Sequence, residues 1–164
     1  MVSFPDAIKL GFQGYVKFSG RSTRAEFWWW CLFYFIVGAV AGIINSFIFE
    51  EVNILGSLVG LAFLLPNIAV SVRRLHDINK TGLWLLWWLL MYLVSVIITI
   101  IGLFLAFTGV MDGNWDTTGS WVVLILGVGL FIIVSLVILI WWIIWFVQPS
   151  NLGPNKYGPH PRED

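Results

Sequence analysis

The sequence predicts an all-α, polytopic membrane protein. Four transmembrane helices are expected, with an N-terminal interfacial amphipathic helix before them and a Pro/Gly-rich cytoplasmic tail after them. Three observations predict it. The 164 residues are 59% hydrophobic and 11% charged, against about 45–50% apolar and about 25% charged in an ordinary soluble domain. Residues 27–49, 54–72, 83–107 and 121–147 hold no charged residue, and a bilayer crossing needs about 20 apolar residues. The nine Lys and Arg all fall before, between or after these stretches in alternate connections. A chain this short encloses one modest core, so so much apolar surface cannot be hidden from water. Composition therefore excludes a soluble globular protein, a disordered tail and a free nucleic-acid binder.

Before the first span, residues 3–19 read as a helix lying along the inner membrane surface. Ser3 is an N-cap with Asp6 three residues on. Ile8, Phe12, Tyr15 and Val16 share one face, and Lys9, Gln13 and Lys17 lie elsewhere, the pattern of an interfacial helix. Gly11 and Gly14 are poor helix formers, and Gly20 is expected to end the helix. A second capping box follows, Thr23 with Glu26 at N3, which gives Glu26 a structural role ahead of an ion-pair or substrate role.

The first apolar run begins near residue 27 and is too long for a cleavable signal segment, so this helix is expected to stay. Runs such as 134–147 do not alternate in polarity, as the strands of an outer-membrane barrel do. The single cysteine, Cys31, has no internal disulfide partner and reads as packing. In the second span Pro66 removes a backbone donor, and Asn67 or Ser71 is expected to satisfy the freed carbonyls. Gly56 and Gly60 form a GxxxG, a weak signal for close helix approach. Gly127 is followed by Gly129 and lacks that spacing.

Lys9, Lys17, Arg21 and Arg24 precede the first span. Arg73, Arg74 and Lys80 lie between spans two and three, and Lys156 and Arg162 are in the tail. The other two connections carry Glu50, Glu51, Asp112 and Asp116 and no cation. The positive-inside rule then places both termini and the middle loop in the cytoplasm. Trp28, Trp29 and Trp30, then Trp84, Trp87 and Trp88, then Trp141, Trp142 and Trp145 mark the same side, where indoles form a belt at the headgroup boundary. Trp115 and Trp121 lie towards the other.

The loop 73–82 is the densest polar segment. Two arginines beside a membrane suit lipid phosphate or helix C-terminal carbonyls. His76 beside Asp77 is a proton-sensitive pair, and too few ligands for a metal. Asn79 or Thr81 is a candidate cap for span three. The tail 148–164 holds Pro149, Pro154, Pro159 and Pro161 with Gly153 and Gly158, a spacing no helix or paired strand tolerates. It is either a disordered end or a loop laid on the cytoplasmic surface, with Tyr157 as its anchor.

Three patterns carry a resemblance. They are Gly20-Arg21-Ser22-Thr23-Arg24-Ala25-Glu26-Phe27-Trp28, Arg73-Arg74-Leu75-His76-Asp77-Ile78-Asn79-Lys80-Thr81-Gly82, and Gly153-Pro154-Asn155-Lys156-Tyr157-Gly158. In that order they resemble the GR-x-x-R-x-E-F-W opening, RRLHD turn and GPN-x-YG tail of the domain of unknown function 805 family of small bacterial inner-membrane proteins. Leu83 departs from the family, where a Trp often follows the glycine, and Trp84 stands next to it. The resemblance implies a four-helix protein of the bacterial inner membrane. It implies no reaction, cofactor or catalytic residue.

All three patterns fall on the cytoplasmic side of the expected topology. Arg21, Arg24, Glu26, Arg73, Arg74, His76, Asp77, Asn155 and Tyr157 are therefore expected to meet in one polar cluster covered by the tail. The function favoured is a non-catalytic scaffold, assembly factor or anionic-lipid binder, with no cofactor and no metal. Its expected partners are membrane lipids with anionic headgroups, and a membrane protein or a second copy of the chain. The alternative is an oligomeric channel or small-molecule transporter, lined by Asn45, Asn67, Ser95 or Thr99. No ionisable residue lies within the spans to serve a proton relay. A membrane enzyme fits least, because no Ser or Cys nucleophile stands at a recognisable spacing from His76 and Asp77.

Overall fold

Long apolar runs fold as helices in a bilayer because lipid offers backbone groups no hydrogen-bond partner. The computed structural model describes residues 2–49, 52–111 and 118–161. Its regular elements are α1 (Phe4–Gln13), α2 (Arg24–Ile48), α3 (Ile54–Asp77), α4 (Leu83–Met111) and α5 (Thr118–Val147), with no strand element among the described residues. By length and composition α2, α3, α4 and the Trp121–Val147 part of α5 can each cross a membrane. Their outer surfaces are apolar, with Phe35 71%, Leu61 69% and Phe47 85% exposed, as expected where lipid is the solvent. Glu50, Glu51, Asp112, Trp115, Asp116 and Arg162 lie outside the described residues. The chain divides into two compact units, Met1–Gly82 with Trp145–Asp164, and Leu83–Ile144.

In the first unit α1 is shorter than the sequence suggests. Ser3 caps it, with Oγ accepting from the Asp6 N–H at 3.4 Å. It ends at Gly14 and not at Gly20. The two glycines that weaken it as a helix are its points of contact. A Cβ on Gly11 would strike the Trp30 ring, and one on Gly14 would strike the Arg73 guanidinium. Phe12 meets Trp30, Phe33 and Phe63 edge-on at 5.3–6.0 Å. Trp30 is accordingly buried at 1% exposure and is no part of a lipid belt, whereas Trp28 and Trp29 stay exposed. Trp88, in the other unit, is also buried.

Residues 73–77, read as loop, are the last turn of α3. The apolar segment 54–72 spans about 28 Å at 1.5 Å per residue, close to the ~30 Å hydrocarbon core. The helix continues one turn further because its ends find partners there. Lys80 N–H donates to Leu75 O at 2.8 Å and Asn79 N–H to His76 O at 3.0 Å, while Asn79 takes a φ of 59°. This is a Schellman ending with Asn in the left-handed position. Asn79 thus closes span two, where it was a candidate to open span three.

Pro66 lies inside α3 and leaves the carbonyl four residues back, that of Ala62, without its helical donor. Neither Asn67 nor Ser71 fills the gap. The Tyr15 hydroxyl, arriving from beyond α1, donates to Ala62 O. Asn67 instead accepts the Trp30 indole N–H at 2.7 Å. Asn45 organises the α2–α3 connection, donating to Val52 O at 2.9 Å and accepting from Leu55 N–H at 3.1 Å.

The GxxxG makes no close helix contact, since a Cβ on Gly60 would meet open space. Within the second unit Gly102 and Gly127 take that role. Added Cβ atoms there would lie 2.7 Å from the Leu124 Cα and 2.9 Å from the Thr99 Cα, so α4 and α5 touch backbone to backbone. Ser95 and Thr99 hydroxyls donate to carbonyls of their own helix, Tyr92 O and Ser95 O, at 2.7 and 2.9 Å.

Tyr15→Phe should destabilise the chain by about 1–3 kcal/mol, the cost of a carbonyl left unsatisfied where lipid offers no donor. In a Pro66→Ala background, which restores the backbone donor, that cost should fall away. Thermal unfolding of the four proteins in mild detergent measures the coupling.

Candidate functional site

Three helix ends of the first unit meet. They are the start of α2, the end of α3 and the end of α5, and each brings unsatisfied backbone groups. Thr23 caps α2, its Oγ1 accepting from Glu26 N–H at 3.1 Å. Glu26, one turn in, points its carboxylate at Arg73, with Nη2 to Oε1 at 3.4 Å. The capping position and the ion pair therefore coexist. Arg73 also donates from Nη1 to Gly14 O and Lys17 O, both at 2.8 Å, which ties the end of α1 to α3.

Asp77 is the centre of the cluster. Its Oδ1 lies 2.9 Å from Arg21 Nη2, and its Oδ2 lies 2.6 Å from Arg74 Nη1. All three side chains are buried. Arg21 sends its other donors to the tail, from Nη1 to Gly153 O at 2.7 Å and from Nη2 to Asn151 O at 2.6 Å. Arg74 sends Nε and Nη2 to Phe146 O at 3.3 and 3.2 Å, and Nη2 also to Gln148 O. Arg24 Nη1 reaches Val147 O at 3.3 Å, and Trp28 Nε1 reaches Phe146 O at 3.3 Å. Cationic donors thus satisfy the last carbonyls of α5, where helix C-termini attract positive charge.

The tail is laid across this cluster as a loop. Tyr157 stacks on His76 with centroids 3.7 Å apart and planes 5° apart. Asn155 Nδ2 donates to His76 O at 2.9 Å. Asn155 and Gly158 exchange backbone bonds at 3.0 Å, with Gly153 and Gly158 at positive φ of 76° and 133°. His76 Nδ1 lies 3.1 Å from Gly20 O. A carbonyl only accepts, so Nδ1 carries the proton in that bond.

Of the nine residues expected to meet, Arg21, Arg74, His76, Asp77, Asn155 and Tyr157 form one connected network. Glu26 and Arg73 form a neighbouring pair, joined to it through the Ser22 N–H bond to Arg73 O at 3.1 Å. Arg24 stands at the edge and is exposed. Residues the sequence reasoning passed over are Gly14, Lys17, Phe146, Gln148 and Asn151, all of which serve through backbone carbonyls. Side-chain patterns carry no signal for such a role.

Asp77→Asn leaves two buried guanidinium groups without their carboxylate. Removing one partner of a buried pair costs about 3–5 kcal/mol. The variant should unfold correspondingly earlier in detergent, and trypsin should cut at Lys156 faster than in the unaltered protein.

A family model described as a protein of unknown function (DUF805) matches residues 15–159. Inner membrane protein YhaI of Escherichia coli strain K12 is 42% identical over 74 residues, 45% of this chain and 63% of YhaI. Inner membrane protein YhaH of the same strain is 33% identical over 89 residues, 52% of this chain and 70% of YhaH. The aligned region thus spans a little under two thirds of YhaI's length. No solved structure matches. The three motifs that build the cluster all lie within the matched residues, and the chain belongs to the DUF805 family.

Proposed function

We propose that the chain is a non-catalytic integral module of the bacterial inner membrane, with both termini and the polar cluster on the cytoplasmic side. It serves as a scaffold or assembly factor for a membrane partner, in contact with anionic lipid. The observation that carries the non-catalytic reading is the closure of the cluster on itself. Both Asp77 oxygens are held by arginines, His76 Nδ1 is committed to Gly20 O, and Tyr157 covers the imidazole face. A general acid or base must reach a substrate proton, and these groups are spent on the fold.

Orientation follows from charge. The segments that meet at the cluster carry the cations, and the connections at residues 50–53 and 112–117 carry acids alone. The positive-inside rule puts the first group in the cytoplasm. In this reading α1 and the segment that follows it lie in the inner interface, with Leu10, Val16 and Phe18 exposed and turned to lipid and Lys9 and Lys17 at headgroup level.

Two measurements test the proposal. In a Cys31→Ser background, Asp116→Cys should react with a membrane-impermeant maleimide in intact cells, and Ser19→Cys only after the membrane is opened. The reverse pattern overturns the orientation. Native mass spectrometry from nanodiscs should find a stoichiometric partner, a second copy or retained lipid, and total lipid composition should not change with expression. A changed lipid class would overturn the non-catalytic reading.

A further inference from the structure

The arginines of the cluster differ in one respect. Arg21, Arg73 and Arg74 are buried and paired with carboxylates. Arg24 is exposed and enters no ion pair among the described residues. Its hydrogen bond to Val147 O uses one of five N–H donors. It stands in a groove of about 540 Å³ between the start of α2 and the tail. Arg24, Trp28 and Leu32 form the α2 wall at i, i+4, i+8, with Trp29 alongside, and Leu152 and His160 belong to the tail wall. Leu152 is 95% exposed, an apolar side chain held out over the groove with no protein cover. None of the described lining residues is acidic.

The groove is polar at one end and apolar at the other. Along α2, Leu32 lies about 12 Å beyond Arg24 at 1.5 Å per residue. The headgroup layer of one leaflet is about 6 Å thick, so this distance runs from phosphate depth into the acyl chains. Arg favours phosphate because its fork donates two parallel hydrogen bonds. Tryptophan favours this boundary because it combines an apolar body with a polar edge.

We propose that this groove binds one anionic phospholipid, its phosphate on Arg24 and its first methylenes against Trp29, Leu32 and Leu152. The proposal rests on the membrane-module reading and moves the lipid contact away from Arg73 and Arg74, whose donors are turned inward. A phosphate-bearing amphiphile uses both the unpaired cation and the apolar trough.

Native mass spectrometry of the full chain in mild detergent, titrated with phosphatidylglycerol or with phosphatidylcholine of the same acyl chains, tests it. One phosphatidylglycerol should be retained at about tenfold higher affinity, the scale of one charge-assisted contact. Arg24→Gln should lower that affinity about tenfold. Leu152→Glu, at a site with no fold contact to lose, should do the same by placing a carboxylate in the groove. Equal retention of the two lipids overturns the proposal. So does wild-type affinity in both variants, displacement by inorganic phosphate alone, or a protein retained in the groove in place of lipid. The titration is read in detergent and is independent of orientation and partner, so its failure leaves the module reading to its own tests.

Discussion

Asp77 is a single carboxylate shared by two buried arginines, and the geometry of the first unit follows from it. Arg21 arrives from the segment before α2, Arg74 from the same turn of α3, and each guanidinium uses its remaining donors on backbone carbonyls. One anion therefore fixes two cations, and the cations in turn fix the tail and the end of α5. Burying such a trio is costly unless every lone pair and proton is matched. Here the carbonyls of Phe146, Gln148, Asn151 and Gly153 complete the set.

The same requirement recurs away from the cluster. A bilayer supplies no donors, so each interrupted backbone bond has to be met by a side chain. Tyr15 meets the carbonyl that Pro66 leaves open. Asn45 serves both the carbonyl of Val52 and the N–H of Leu55 where the chain turns between α2 and α3. Asn45, Asn67, Ser95 and Thr99, the candidates for a pore lining when seen in sequence, each hydrogen-bond within the chain.

The cationic end of the first unit thus has two parts of different character. One is closed, with ion pairs buried under Tyr157 and Asn155, and it holds the fold. The other is open, with Arg24 and an apolar trough beside it. A neutral chain with nine basic and nine acidic residues conceals this, because net charge counts the buried arginines and the exposed one alike. Buried charge with matched partners contributes little to the outside field, whereas exposed cations such as Arg24 contribute more.

Composition and local pattern determined the membrane class, the number of candidate spans and the Ser3 and Thr23 caps. Those features depend on transfer of apolar side chains and on contacts three or four residues apart, both of which are written along the chain. Tertiary structure decided the rest. It extended α3 through Asp77, ended α1 at Gly14, buried Trp30, moved helix contact from Gly56 and Gly60 to Gly102 and Gly127, and separated Arg24 from the arginines it resembles in sequence. Apart from the end of α3, which the residues just after it close, these depend on partners distant in sequence, as Gly14 is from Arg73 by 59 residues. The partner is usually a backbone carbonyl, which every residue carries and no sequence pattern distinguishes.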